Sequence, residues 1–154
     1  MEIKVGIVYG SVSDEAVMKN TKEILESYGV GCEVSVMSAH RTPDKVAEYA
    51  SKAHERGIKV LIAGAGLAAH LAGAVAARTI LPVIGVPLEC GGLGGLDALL
   101  STVQMPKGVP VATVAVGSHG AKNAAYLALQ ILALQDEALA ARLWKEKRGE
   151  QKCV

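Results

Sequence analysis

The 154-residue chain contains no phenylalanine, and aromatics make up 3% of it against 51% hydrophobic residues. A core without large rings has to be filled by Ala, Val, Leu and Ile, which suits closely packed helices and parallel strands. Net charge is nearly absent as well. Sixteen Lys+Arg against fifteen Asp+Glu leave +1, so the chain as a whole has no pull toward nucleic acid or an anionic membrane, and a small-molecule ligand is expected. Cysteine is scarce: Cys32, Cys90 and Cys153 are far apart, odd in number and form no CxxC pair. That pattern argues against a disulfide framework and a zinc site, and points to a reducing compartment. No other metal-ligand spacing and no Ser-His-Asp order is present. No apolar run is long enough to cross a bilayer, and "MEIKVGIVYG" lacks the basic start and long apolar stretch of a secretory signal, so a cytoplasmic location is expected.

What the chain does have is an alternation of two kinds of segment. "IKVGIVYG" (3–10) is short, rich in β-branched residues and closed by glycine, as a buried strand is. Ser13 is a plausible cap for the helix that follows, with Asp14 and Glu15 in its first turn. Val17, Thr21, Ile24, Leu25 and Tyr28 then recur at helical spacing until Gly29. "CEVSVM" (32–37) is a second strand. Thr42 caps a second helix with Pro43 at its first position, running to about Arg56 and Gly57. "KVLIAGAG" (59–66), "PVIGVP" (82–87) and "PVATVAVG" (110–117) are three more strands, the first two separated by an Ala-rich helical segment at 68–79. Five strands alternating with helices predict an α/β fold: a three-layer αβα sandwich with a central parallel sheet, flavodoxin-like in strand order. The segment from 121 to about 151 is strongly helical, broken near Gln135 and Asp136, and its apolar stripe could face a neighbouring subunit. No linker or repeat divides the chain, so one domain over 1–154 with a C-terminal helical extension is expected. So apolar a small chain, with mean hydropathy +0.31, also leads us to expect an oligomer that covers part of its surface.

In an open parallel sheet, ligands bind beyond the carboxyl ends of the strands, which directs attention to loops 10–14, 38–42, 64–70, 87–95 and 117–122. "GSVSD" offers Gly10 for a turn, the hydroxyls of Ser11 and Ser13, and the free N–H groups of a helix start. That is either an ordinary helix cap or a phosphate site. Asp14 would repel a phosphate and suits sugar hydroxyls better. In "SAHRT" the planar, paired donors of Arg41 can complete an oxyanion site, and His40 is the natural group for proton transfer near neutral pH. Gly64 and Gly66 let backbone approach a flat ligand, with His70 just inside the next helix as either a structural donor or an assistant. His54 lies in a charged helix and is expected to be solvated. His119 belongs to a "GSHG" loop, as a lid residue or without a role. "ECGGLGGLD" (89–97) reads as a glycine-rich cover for the site or as a plain connection. Cys90 lies near the expected site without a basic partner to make it a nucleophile.

Four blocks in order, "GSVSD" (10–14), "SAHRTP" (38–43), "AGAGLAAHLAG" (63–73) and "GLDALLSTVQMPKGVPVATVAVG" (95–117), followed by "GAKNAAYLALQIL", resemble the N5-carboxyaminoimidazole ribonucleotide mutases of purine biosynthesis. These are the bacterial class I form of the enzymes also called the catalytic subunit of phosphoribosylaminoimidazole carboxylase. The resemblance spans nearly the whole chain. It implies an isomerase that needs no metal or cofactor and moves a carboxylate from the exocyclic nitrogen of an aminoimidazole ribonucleotide to ring carbon C4. By the same resemblance, His40 shuttles the proton at that carbon, and Ser11, Ser13, Asp14, Ser38 and Arg41 hold the ribose phosphate beside Ala39. The loop containing Gly64, Ala65, Gly66, Ala69, His70 and Leu71 contacts the imidazole and carboxylate, with His70 assisting. It implies further a homo-octamer fed by an upstream ATP-dependent N5-carboxyaminoimidazole ribonucleotide synthetase. A related class II form, which carboxylates aminoimidazole ribonucleotide with free carbon dioxide, lacks the "AAHL" block. Two departures stand out: Leu67 replaces a glycine and Ala72 a proline usual in the family. If position 67 requires φ > 0, leucine is strained there. The "LECGGLGGLD" segment also lacks the Ser or Thr and the Asn or Lys common there.

Overall fold

The computed structural model describes residues 2–149. Cys153 and the last positions of the expected C-terminal helix lie outside them. Five strands, β1 (Ile3–Tyr9), β2 (Gly31–Val36), β3 (Val60–Gly66), β4 (Val83–Leu88) and β5 (Ala112–Thr113), form one sheet in the order β2-β1-β3-β4-β5. Every pair is parallel. This is the flavodoxin-like order expected from the alternation of strands and helices. β1 sits between β2 and β3, so the chain reverses its direction of travel across the sheet there, and the loops after β1 and β3 diverge to opposite faces.

The helices α1 (Glu15–Ser27), α2 (Pro43–Lys52), α3 (Leu71–Ala76), α4 (Leu96–Val103), α5 (Ser118–Ala133) and α6 (Glu137–Lys147) connect and follow the strands. Alternation along each buried strand divides the core in two. Val5, Ile7, Val60, Ile62, Ile84 and Val86 face α1 and α5, while Val8, Leu61, Ala63 and Val83 face α2 and α3. The scarcity of rings is met by alanine: Ala121, Ala124, Ala125 and Ala128 are fully buried and bring α5 close to the sheet. Buried Thr21 of α1 donates to the Ala121 carbonyl at 2.7 Å, tying the first helix to the fifth. The buried residues of α5 therefore pack into the chain's own core.

Several expected boundaries move, each for a local reason. The cap of the first helical segment is Ser11, not Ser13, because a single 3-10 turn (Val12–Asp14) precedes α1. Thr42 does occupy the position before Pro43, but its hydroxyl donates backward to the Ser38 carbonyl at 3.1 Å and does not cap α2. The helix expected at 68–79 contracts to Leu71–Ala76 because residues 67–70 are taken up by two tight turns. β5 is two residues long, not the eight of "PVATVAVG". Pro110 has no N–H to give, and beyond Thr113 only isolated bonds continue along β4, from Val114 N to Gly85 O and from Gly117 N to Pro87 O. α4 is an additional helix that the sequence does not announce. Its Ala98 and Thr102 are buried while Leu96 and Leu100 are exposed, so an apolar residue stands on both sides and the usual one-faced periodicity is missing.

Candidate active site

The parallel registers bring the strand ends level: Tyr9 lies opposite Val36 and Gly64, and Gly66 opposite Leu88. The loops leaving these ends enclose a cleft of about 300 Å³. Its wall contains Ser11, Ser13 and Asp14 after β1, Ser38, Ala39, His40 and Arg41 after β2, and Ala65, Gly66, Leu67, Ala68, His70 and Leu71 from β3 into α3, with Cys90 after β4. Larger hollows of about 550 Å³ between α5 and α6 and about 400 Å³ beside Tyr28 and Arg142 lie away from these loops. Among the described residues, hydroxyls, imidazoles and a guanidinium converge in the strand-end cleft.

The first loop is built by a reciprocal cap. The Ser11 hydroxyl accepts from Ser13 N at 3.3 Å, and Asp14 Oδ2 accepts from Ser11 N at 3.0 Å. Ser11 Oγ and Ser13 Oγ lie 2.9 Å apart, which presents two hydroxyls as a pair. Burial pushes the Asp14 carboxyl above its ordinary range, and the Ser11 N–H pulls part of the way back. Gly10 lines the cleft too. A Cβ there would stand 3.9 Å from Asp14 Oδ2, an ordinary contact, so the missing side chain leaves room and relieves no clash.

The second loop is braced from within. Ser38 N donates to Thr42 Oγ1, Thr42 N donates to the Ser38 carbonyl, and Arg41 N donates to Ser38 Oγ. Because Ser38 Oγ already accepts from the loop, its own proton is free to be donated outward. His40 and Arg41 are left exposed on the outer arc. Arg41 is the only Lys or Arg on the cleft wall and belongs to none of the ion pairs among the described residues.

The third loop carries the unusual backbone. Leu67 has φ 56°, the only positive φ at a non-glycine among the described residues. Ala69 N then donates to the Leu67 carbonyl at 2.8 Å and His70 N to the Ala68 carbonyl at 2.7 Å. These two turns swing His70 back over the second loop. Its ring stacks on that of His40, with centroids 5.4 Å apart and planes 11° from parallel. The condition raised from the sequence, a positive φ under a leucine, is therefore met.

Two predicted residues do not reach the cleft surface. Gly64 stands behind it, where a Cβ would strike Met18 Sδ at 2.6 Å, and Ala69 is buried at 2% exposure. Of the five expected loops, the last does not take part: His119 sits in the first turn of α5, exposed and outside the cleft wall. The "ECGGLGGLD" segment contributes Cys90 alone and is organised as a 3-10 turn (Gly91–Leu93) followed by left-handed Gly94 and Gly95. His54 lies in a separate turn, exposed, its Nδ1 3.1 Å from the Ser51 carbonyl. Of the wall residues to which the sequence assigns no role, Ala68 carries no chemical signal, Leu67 stands out as a leucine in place of a glycine, and Cys90 stands out by its place near the site. Among the described residues no group of three or more His, Cys, Asp and Glu is placed to hold a metal ion.

Fold and cleft together define a flavodoxin-like α/β protein with an arc of hydroxyls and one guanidinium beside a pair of stacked imidazoles at its topological switch point. Residues 4–152 match the model of the AIR carboxylase family, and the chain belongs to that family. A Bacillus subtilis protein named N5-carboxyaminoimidazole ribonucleotide mutase is 54% identical over 154 residues, covering 100% of this chain and 95% of the relative. One of the same name from Pyrococcus horikoshii is 60% identical over 131 residues, covering 85% and 73%. Among solved structures, the crystal structure of Treponema denticola PurE is similar with a TM-score of 0.82 at 27% identity, covering 95% of this chain and 91% of that one. No described helix is long and apolar enough to cross a membrane.

Proposed function

We propose that this chain interconverts N5-carboxyaminoimidazole ribonucleotide and 4-carboxyaminoimidazole ribonucleotide in purine biosynthesis, a reading supported by relatives named N5-carboxyaminoimidazole ribonucleotide mutase. The observation that carries the reading is the His40–His70 stack beside an unpaired Arg41, a proton-transfer group within reach of an oxyanion clamp. The cleft, about 300 Å³, is at the lower end of the range for small-molecule sites and suits one mononucleotide.

In this reading Ser11, Ser13, Ser38 and Arg41 hold the ribose phosphate and Asp14 accepts from the ribose hydroxyls. Ala39, Ala65, Gly66 and Leu71 flank the ring, with Gly64 and Ala69 supporting that wall from behind. The reaction needs one proton moved from carbon to nitrogen. Cleavage of the exocyclic N–C bond leaves its electron pair on nitrogen, which takes a proton from the His40 imidazolium as carbon dioxide is released. The electron-rich ring carbon C4 then attacks the carbon dioxide, and neutral His40 removes the proton that C4 loses. The stacked His70 ring holds His40 in place and assists. We infer that the chain works as one unit over 1–154, in the cytoplasm and as a homo-octamer, downstream of an ATP-dependent synthetase that makes the labile carboxyamino substrate. Exposed Leu96, Leu100 and Val103 along α4 support self-association.

The test is turnover of purified protein with N5-carboxyaminoimidazole ribonucleotide, beside aminoimidazole ribonucleotide plus bicarbonate, with no metal or nucleotide added. Conversion of the first alone supports the proposal. Conversion of the second alone makes the chain a carboxylase, and silence with both overturns the reading. His40→Asn should lower kcat by about 10²–10⁴-fold with Kd nearly unchanged; equal loss in both would remove His40 as the shuttle.

A further inference from the structure

Thr42 stands one residue before α2, where a threonine hydroxyl ordinarily accepts from the N–H groups of the first helical turn. Side chains in comparable places elsewhere in the fold do so: Ser11 accepts from Ser13 N at 3.3 Å, and Asp136 accepts from Leu139 N at 3.0 Å. Thr42 caps nothing. Its Oγ1 accepts from Ser38 N and donates to the Ser38 carbonyl, both at 3.1 Å, and its own N–H donates to that carbonyl at 2.8 Å. Pro43 keeps Thr42 out of the helical region, and at φ −134° and ψ 56° the hydroxyl is turned back on the start of its own loop.

These three bonds close residues 38–42 into a ring. Ser38 is fixed at both its N–H and its carbonyl, which leaves its Oγ placed to accept from Arg41 N at 3.1 Å. Ser38, Ala39, His40 and Arg41 all line the cleft, whereas Thr42 does not. No residue of the ring is fully buried, and His40 and Arg41 are exposed, so the shape of the loop rests largely on its hydrogen bonds. The hydroxyl that would have secured a helix end secures the arc that carries the guanidinium and one of the two imidazoles.

We propose that Thr42 is a positioning residue for the nucleotide: it touches no substrate and acts through Ser38 and Arg41, keeping their loop closed before the phosphate arrives. The proposal rests on the mutase reading above. Without the hydroxyl, Thr42 N still reaches the Ser38 carbonyl, so the ring loosens and does not open fully. Ser38 Oγ and Arg41 are then presented together for only part of the time, and apparent affinity falls with that fraction. Bound phosphate draws the two together again. Ground state and transition state therefore lose equally, which raises KM and leaves kcat in place. This is the opposite of the split expected for His40→Asn, although the two residues share one loop.

The experiment compares wild type with Thr42→Val, which is close in shape but has no hydroxyl, and with Thr42→Ser, which keeps it. Turnover of N5-carboxyaminoimidazole ribonucleotide gives kcat and KM, calorimetry gives Kd for the 4-carboxylated ribonucleotide, and urea unfolding gives the midpoint. We expect KM and Kd to rise ~10-fold in Thr42→Val with kcat within about twofold of wild type, and Thr42→Ser to restore both constants. A residue that only steadied α2 would lower the urea midpoint in Thr42→Val and leave KM and Kd at wild-type values; that result overturns the inference. A fall in kcat with KM unchanged overturns it too. If Thr42→Ser behaves like Thr42→Val, the methyl group and not the hydroxyl holds the loop, and the inference fails. Thr42→Ala removes the same hydroxyl without setting a methyl in its place, and carries the test should Thr42→Val lose the fold. A wild-type chain silent on this substrate overturns the mutase reading, and this inference with it.

Discussion

At most positions replacing alanine by glycine weakens a protein, but at position 67 the order should reverse. A non-glycine residue at φ 56° carries a cost of about 1–2 kcal/mol from the approach of Cβ to the following carbonyl. Glycine carries none of it, though its freer unfolded chain returns about 0.5–1 kcal/mol. Leu67→Ala keeps the backbone cost and loses the part of the side chain that is buried. With 52% exposure, that loss is about 1 kcal/mol. Leu67→Gly loses the same contact but relaxes the turn, so its net change is close to zero. The glycine variant should thus exceed the alanine variant by roughly 0.5–1 kcal/mol. Ala141, exposed inside α6, serves as the reference: Ala141→Gly should cost about 1 kcal/mol. Urea unfolding at one fixed protein concentration reads these differences as midpoint shifts with a common slope. An alanine variant at 67 as stable as the glycine variant, or more so, would refute the reasoning from strain.

Arg41→Ala should weaken binding of the 4-carboxylated ribonucleotide by about 2–3 kcal/mol, or ~30–150-fold in Kd, since it removes the only guanidinium on the wall; calorimetry with an unchanged Kd would take Arg41 out of the site. Asp14→Asn keeps an acceptor for Ser11 N but removes a charge whose burial raises the folded-state pKa. The ionised carboxylate therefore costs stability at neutral pH, and the cost disappears as pH falls through the raised value toward the ordinary 3.8. The variant should unfold at higher temperature than wild type at pH 7, with a gap that narrows on acidification, while its turnover drops. A gap independent of pH would contradict that account. Light scattering should show an assembly that Leu100→Asp, in the exposed stripe of α4, shifts toward smaller species; a wild-type chain at single-chain mass would remove the proposed self-association.

Much of the sheet was legible because its signals are local. β1, β3 and β4 are short apolar runs that end at or beside glycine or proline, and buried parallel strands need only that composition, while β2 shows as an alternating run. Helix starts were legible to within a turn, since the 3-10 turn that moves the first cap from Ser13 to Ser11 depends on a reciprocal bond with Asp14. β5 and α4 resisted for opposite reasons. The first has strand composition but only a two-residue ladder with β4. The second is apolar on two sides because part of its outer face is left uncovered by this chain. At the site, position in the order of elements was enough to bring His40, Arg41 and the serines of the first loop to one place, as all follow carboxyl ends of adjoining strands. Distance in sequence hid the rest. The stacking of His40 on His70 depends on two turns between Leu67 and His70 that residue types do not announce.

The bond from Thr21 to the Ala121 carbonyl spans a hundred residues of chain, and that separation sets a clock. α5 supplies Ala121, Ala124, Ala125, Ala128 and Leu129 to the half of the core it shares with α1. Until it arrives, α1 lacks its partner helix and the part of β3 and β4 that α5 packs on has no cover. At about 5–20 residues per second of synthesis, that interval is roughly 5–20 s. During it the opposite face, under α2 and α3, can already be closed. The nascent protein is then lopsided, finished on one side and sticky on the other, and a holding chaperone would meet the side that α5 later covers.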